Sequence, residues 1–222
     1  MFERYFEEYL ELNPLFATQI GDNRYNDRLP NSIGPEHRAR IREMNERYLA
    51  AVQGFDPAHL SLEDRISYET FLGERMRQRE SERFPSYLLP LSQTGGLPTM
   101  MPALGSGTNA QPFVTVADYE NWLERLDGFV VFLDQAIVNM RDGVAKGVVQ
   151  PRPVMEKVLS QLDALIVAKA EESLFYGPVA KFPDTVPAAE RERLTVAYRT
   201  AIDGKVMPAY RRVRDYVRDD YL

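Results

Sequence analysis

Thr115-Val116-Ala117-Asp118-Tyr119-Glu120-Asn121-Trp122-Leu123-Glu124-Arg125-Leu126, continued by Asp127-Gly128-Phe129-Val130-Val131-Phe132-Leu133-Asp134-Gln135-Ala136-Ile137-Val138-Asn139-Met140, carries the clearest helical signal in the chain. Val116, Tyr119, Leu123, Leu126, Val130, Leu133, Ile137 and Met140 recur in steps of three and four, and Trp122, Phe129 and Phe132 widen the stripe. A stripe that broad suits a central helix of a bundle better than the narrow seam of a two-stranded coiled coil. Thr115 and Asp118, three residues apart, resemble a capping box at its start, and Gly143 and Gly147 are placed to end it.

Reading outward, the pattern stays helical. Downstream, Pro151 and Pro153 restart the chain, and Val158, Leu159, Leu162, Leu165 and Ile166 mark another helix. A loop with Gly177, Pro178 and Pro183 spans residues 173–186. Pro187 opens a last run through Leu194, Ala197 and Ala201, which Pro208 should kink or split. Arg218-Asp219-Asp220-Tyr221-Leu222 carries no helix stop and has the look of an interrupted sequence.

Upstream, residues 2–12 read as a helix, Pro14 opens a short one toward Gly21, and residues 22–32 are a polar turn region. Pro35 starts a helix with Ile41, Met44, Tyr48 and Val52 on one face and Gly54 at its end. Ser61 and Asp64 open a charged helix reaching about Arg83. Residues 85–113 differ: five prolines and four glycines accompany Leu88, Leu89, Leu91, Leu97, Met100, Met101 and Leu104. Such an apolar, Pro/Gly-rich loop is expected to pack over a surface or line a cleft. The expected fold is therefore all-α: a single helical domain over residues 1–222, a bundle of about six to eight helices, with a sub-boundary in the 85–113 loop.

Composition narrows the function. The chain has 222 residues, 44% of them hydrophobic, and a formal net charge of -6. An acidic chain has no electrostatic reason to bind nucleic acid. The absence of cysteine excludes disulfides, thiolate nucleophiles and cysteine-ligated zinc. No stretch is long and apolar enough to span a membrane, and the charged start Met1-Phe2-Glu3-Arg4 lacks an export-signal core. As written the chain is expected to be soluble and cytoplasmic; a leader removed from it would place it in the periplasm or outside the cell.

No catalytic constellation emerges. His37 and His59 are the only histidines, and neither has a partner at metal-ligand spacing. Carboxylate pairs such as Glu7-Glu8 and Glu171-Glu172 read as solvated helix faces. Gly105-Ser106-Gly107 is a partial echo of a nucleophile elbow without its strand, and Gly95-Gly96 makes no phosphate loop. Arg211-Arg212-Val213-Arg214 is interleaved with acids and reads as a charged helix face, and Met100-Met101 as core filling.

Five stretches in order resemble the N-terminal half of the bacterial domain-of-unknown-function family 885 (DUF885): Glu11 to Leu29, Tyr87 to Gln93, Asp118 to Leu126, Met140 to Arg152, and Val206-Met207-Pro208-Ala209-Tyr210 leading to Leu222. The resemblance implies a zinc-dependent peptidase or hydrolase of the helical, cleft-forming kind, longer than this chain. Its H-E-x-x-H-type zinc helix would lie in a missing C-terminal half. It implies no catalytic residue, metal ligand or cofactor within this chain. The chain would form part of the substrate-cleft wall, with Gln93, Thr94, Gly95, Gly96 and the Gly147-to-Arg152 turn, Arg152 included, as the groups facing a peptide substrate. It also implies exposed apolar surface where the missing half docks, and self-association through that surface. The alternative is a stand-alone helical module that binds a peptide or partner protein.

Overall fold

In a computed structural model describing residues 1–222, one 31-residue helix organises the molecule. In chain order the helices are α1 Phe2–Leu12, α2 Pro14–Gln19, α3 Pro35–Gln53, α4 Leu62–Ser81, α5 Leu97–Leu104, α6 Val116–Lys146, α7 Arg152–Leu165, α8 Gly177–Ala180, α9 Ala188–Ala201 and α10 Met207–Tyr216. No strand forms; one isolated bridge joins Ser92 and Gly95. The fold is all-α.

The capping box at Thr115 is real: Asp118 N–H donates to Thr115 Oγ1, and Thr115 N–H donates to the Asp118 carboxylate at 2.7 Å. The centre of the buried face runs through Tyr119, Trp122, Leu126, Phe129, Leu133, Ala136 and Met140. Val116, Leu123, Val130 and Ile137, spaced by sevens, sit on its flank and are only partly buried. Gly143 does not end α6. It lies inside the helix where a Cβ would come within 2.6 Å of the Val148 carbonyl, and Gly147, at φ +70, makes the stop.

The α9–α10 run lies parallel to α6. Three acids at seven-residue spacing, Glu120, Asp127 and Asp134, pair with Arg193, Lys205 and Arg212 at 2.5–2.7 Å. These pairs are about half exposed, so they set register more than stability. Pro208 splits the run as its missing N–H requires: a π-helical turn, Ile202–Val206, precedes it, and Met207 N–H reaches back to Ile202 O. α7 returns antiparallel, tied to α10 by Asp163 and Arg214 at 3.0 Å.

Residues 85–113 are not one long loop, because α5 interrupts them. Pro98 starts α5, where a proline's fixed φ is favourable. Pro102 sits inside it and cannot donate to the Pro98 carbonyl four residues back. The buried hydroxyl of Tyr210 donates to that carbonyl instead. This long-range donor lets a helix with an internal proline persist.

A second face of α6, at Arg125, Gly128, Gln135 and Asn139, holds the segment before α3. Arg125 Nε donates to Arg28 O at 3.0 Å; Asn31 Nδ2 donates to Gln135 Oε1; Asn139 Nδ2 donates to Ile33 O and Tyr87 O, both at 3.0 Å. At Gly128 the Leu29 carbonyl comes so close that a Cβ would collide with it and lie 2.9 Å from the Leu29 Cβ. Gly128→Ala is expected to lose about 1–2 kcal/mol in urea unfolding. The gain in helix propensity of about 1 kcal/mol is outweighed by overpacking against backbone. An unchanged or raised midpoint would show that the Leu29 segment yields.

The main core gathers around α6, α7, α9 and α10. A smaller cluster of Leu12, Met44 and Tyr48, with Tyr5, Tyr9, Ile41 and Phe71 against it, joins α1, α3 and α4. α4 has no buried residue, and Leu62, Ile66 and Met76 face outward from it at 78%, 59% and 46% exposure.

Candidate functional site

Gln93, Thr94, Gly95 and Gly96 form one tight turn leading into α5. Ser92 bridges to Gly95, Thr94 N–H donates to Ser92 Oγ at 3.3 Å, and Gly96 adopts φ +125 at the α5 N-terminus. A residue with a side chain would be strained there. The turn is pinned to α7 by Gln161 Nε2, which donates to Gln93 O at 2.9 Å.

Arg152 lies across from it at the start of α7. Its guanidinium pairs with Glu156 at 3.0 Å and donates to the Leu222 carbonyl at 2.8 Å. The two regions meet through Gln150, a residue of the Gly147-to-Arg152 turn. Its side chain donates to Leu91 O at 3.1 Å, and its backbone N–H donates to the Tyr221 hydroxyl at 2.8 Å. The two turns and the end of the chain thus converge at one end of the bundle. The space between Gly95 and Gln161 is only about 10 Å³. Thr94, Gly95, Gly96 and Arg152 are exposed, so any ligand here would lie on the surface.

Two larger concavities were not legible in the sequence. The first is a groove of about 570 Å³ between α1, α3, α4 and residues 84–87, lined by Tyr5, Tyr9, His37, Arg38, Arg75 and Tyr87 among others. The second, about 410 Å³, is mainly apolar, with Leu12, Leu15, Phe16, Leu29, Ile33 and Met100 among its lining residues. Its polar groups, Asn13, Gln19 and Ser32, include no acid or base, so it can hold an apolar side chain but move no proton. Neither concavity includes Gln93–Gly96 or Arg152.

The histidines do not share a site. His37 is buried at the start of α3, where burial and then the Arg40 charge lower its pKa, so it is neutral at pH 7. His59 is exposed beyond α3, with Nδ1 2.9 Å from the Asp56 carboxylate. No three His, Asp or Glu side chains stand close enough to share a metal ion. No helix is long and apolar enough to cross a membrane. Burial pushes Tyr198 and Tyr210 well above the ordinary phenol range; both hydroxyls donate to backbone carbonyls within the core and act as structural ties.

No curated protein matches the chain. Among solved structures, the chain is similar to a protein of Colwellia psychrerythraea described as a lipoprotein, with a TM-score of 0.79 and 14% identity. The match covers 97% of this chain and 39% of that one, so the chain spans about two-fifths of its neighbour's length. At that identity the likeness shows the fold alone. The model of the family described as bacterial protein of unknown function, DUF885, matches residues 14–222, and the chain belongs to that family.

Proposed function

We propose that this chain is the N-terminal helical part of a zinc-dependent peptidase or hydrolase, in which it walls part of the substrate cleft. The observation that carries this reading is the lopsided coverage: nearly all of this chain, and only 39% of its structural neighbour, superpose. A longer polypeptide would add the remaining elements. The chain's own residues do not fit a zinc site. His37 and His59 lie on separate elements, and no acid joins either in a cluster that could hold the ion. In this reading the zinc ligands and general base belong to polypeptide beyond this chain.

What this chain supplies is shape. The apolar groove beside α2 and α5 suits aliphatic substrate side chains, while the turns at Gln93–Gly96 and Gln150–Arg152 lie outside it, tied to each other's neighbourhood at one end of the bundle. The outward Leu62, Ile66 and Met76 on α4 are a place for added polypeptide, or a second copy, to dock.

The test compares the full-length product of the gene, loaded with zinc, with residues 1–222 alone on a set of unstructured peptides. Cleavage by the longer protein and none by the shorter is expected. A gene product no longer than this chain, hydrolysis by this chain alone, or a zinc-loaded longer protein inert toward peptides would each overturn the reading.

A further inference from the structure

The 570 Å³ groove between α1, α3 and α4 has a charge pattern unlike the rest of this acidic chain. Three charged side chains on its wall are already paired: Arg42 with Glu82 at 2.7 Å, and Glu74 with Arg77, which lies outside the groove. His37 is neutral at pH 7 because burial lowers its pKa. Two guanidiniums remain, Arg38 and Arg75, and neither has a carboxylate within ion-pair distance, although the chain forms such pairs along most of its surface.

Both are held by aromatic rings. Arg38 Cζ lies 3.3 Å from the centre of the Tyr87 ring; Arg75 Cζ lies 4.5 Å from Tyr5 and 5.2 Å from Phe71. A ring covers one flat side of a guanidinium and leaves its edge of N–H donors for a planar acceptor. Arg75 is fixed further by Asn45, which is fully buried: Asn45 Nδ2 donates to Arg75 O at 3.1 Å, and Arg75 Nη1 donates to Asn45 Oδ1 at 3.2 Å. Arg75 Nε finds no acceptor. A buried asparagine that orients a charged side chain carrying no counter-charge is a costly arrangement for a purely structural element. It is the arrangement that recognition of a carboxylate needs.

We propose that this groove binds an acidic peptide segment, with Arg38 and Arg75 receiving carboxylates and Tyr5, Tyr9 and Tyr87 packing against the side chains between them. The volume lies in the range of ligand pockets and exceeds what a single small anion fills. A net charge of -6 opposes nucleic acid, whose many phosphates would meet the acidic surface around the groove. The proposal is independent of zinc and of peptide hydrolysis, since it concerns binding by the chain described here.

Residues 1–222 are titrated with a fluorescein-labelled peptide of alternating glutamate and leucine, with its glutamine-for-glutamate counterpart, and with inorganic phosphate as competitor, read by fluorescence anisotropy. The acidic peptide is expected to bind with Kd below about 1 mM and the glutamine peptide about tenfold more weakly. Affinity should fall as salt rises. Arg38→Gln should weaken binding about tenfold, while Arg79→Gln, on α4 outside the groove, leaves it unchanged. Arg75→Gln should do the same, but Asn45 ties it to the fold, so Arg38→Gln with an unchanged melting curve is the deciding variant. Equal affinity for both peptides, no binding below 1 mM, or indifference to Arg38→Gln overturns the proposal. Displacement of the peptide by phosphate at equal concentration overturns its peptide part and leaves a simple anion site.

Discussion

Arg125→Ala is expected to destabilise the chain by about 3–5 kcal/mol, enough to remove a large part of a domain's stability. Arg125 is fully buried on α6 with no carboxylate within ion-pair distance; only the more distant Asp27 charge favours its charged form. Burial pushes its pKa down to about 10, a cost on the order of 3 kcal/mol for holding the charge there. Against that stand five hydrogen bonds from one guanidinium. Nε donates to Arg28 O, Nη1 to Gln111 Oε1, and Nη2 to Pro14 O, Thr18 Oγ1 and Tyr25 O. Bonds from a charged donor contribute about 1.5–3 kcal/mol each, so the set outweighs the burial cost. These acceptors belong to the α2 region, the turn after it and the segment before α6, which Arg125 gathers onto one helix. Alanine leaves Arg28 O and Gln111 Oε1 unpartnered inside the protein and opens a cavity besides. Arg125→Lys should fare little better, because three donors at one point cannot span five acceptors. Urea unfolding measures the loss. Hydrogen exchange should show residues 14–28 losing protection first. A loss under about 1 kcal/mol for alanine would mean that water or neighbouring donors satisfy those carbonyls and that Arg125 is no keystone.

The same residue marks where the sequence stops being informative. The apolar face of α6 was legible because apolar periodicity reports burial against anything apolar, without naming the partner. Arg125, Gln135 and Asn139 recur on another face at similar spacing, and polar residues at helical spacing normally mean solvent. Here Arg125 and Asn139 are met by the backbone carbonyls of Arg28, Ile33 and Tyr87, and Gln135 by the Asn31 amide, and no local pattern shows which distant groups lack partners. α5 was hidden for a related reason: Pro98 and Pro102 argue for loop until Tyr210, more than a hundred residues on, supplies the missing donor. Gly143 resembles a helix stop in the sequence because a close approach and a stop both select glycine.

The candidate site divides the same way. The turns at Gln93–Gly96 and Gly147–Arg152 could be named from Gly, Pro and the family resemblance, and the structure brings them to one end of the bundle through Gln150. The 570 Å³ groove draws on residues 5 to 87 from separate elements, so no contiguous motif announces it. One signal was available: Asn45 stands beside Met44 on the apolar face of α3, and an asparagine on a buried face needs a partner.

Trp122 and Gly105 should behave as a coupled pair, with the double variant losing less than the two singles together. The Trp122 ring is completely buried, 5.9 Å from the Phe113 ring and 6.4 Å from Phe175. Its Nε1 has no acceptor, so its contribution is packing alone. Trp122→Ala is expected to cost about 3–5 kcal/mol. Gly105 ends α5 with φ -83, a conformation open to any residue, so its backbone does not demand glycine. The ring does: a Cβ at Gly105 would collide with Trp122 Cζ2 and lie 2.8 Å from Cε2. Gly105→Ala should therefore cost about 1–3 kcal/mol by forcing the indole or the α5 end to move. In the Trp122→Ala background the collision is gone and the new methyl enters the vacated space, so Gly105→Ala becomes neutral or mildly favourable. The cycle should then show a coupling of about 1–3 kcal/mol from denaturant unfolding of the four proteins. Trp122→Phe should recover part of the loss, because a smaller ring still meets Phe113 and Phe175. Additive costs within about 0.5 kcal/mol would sink the account, since two side chains that exclude each other cannot act independently.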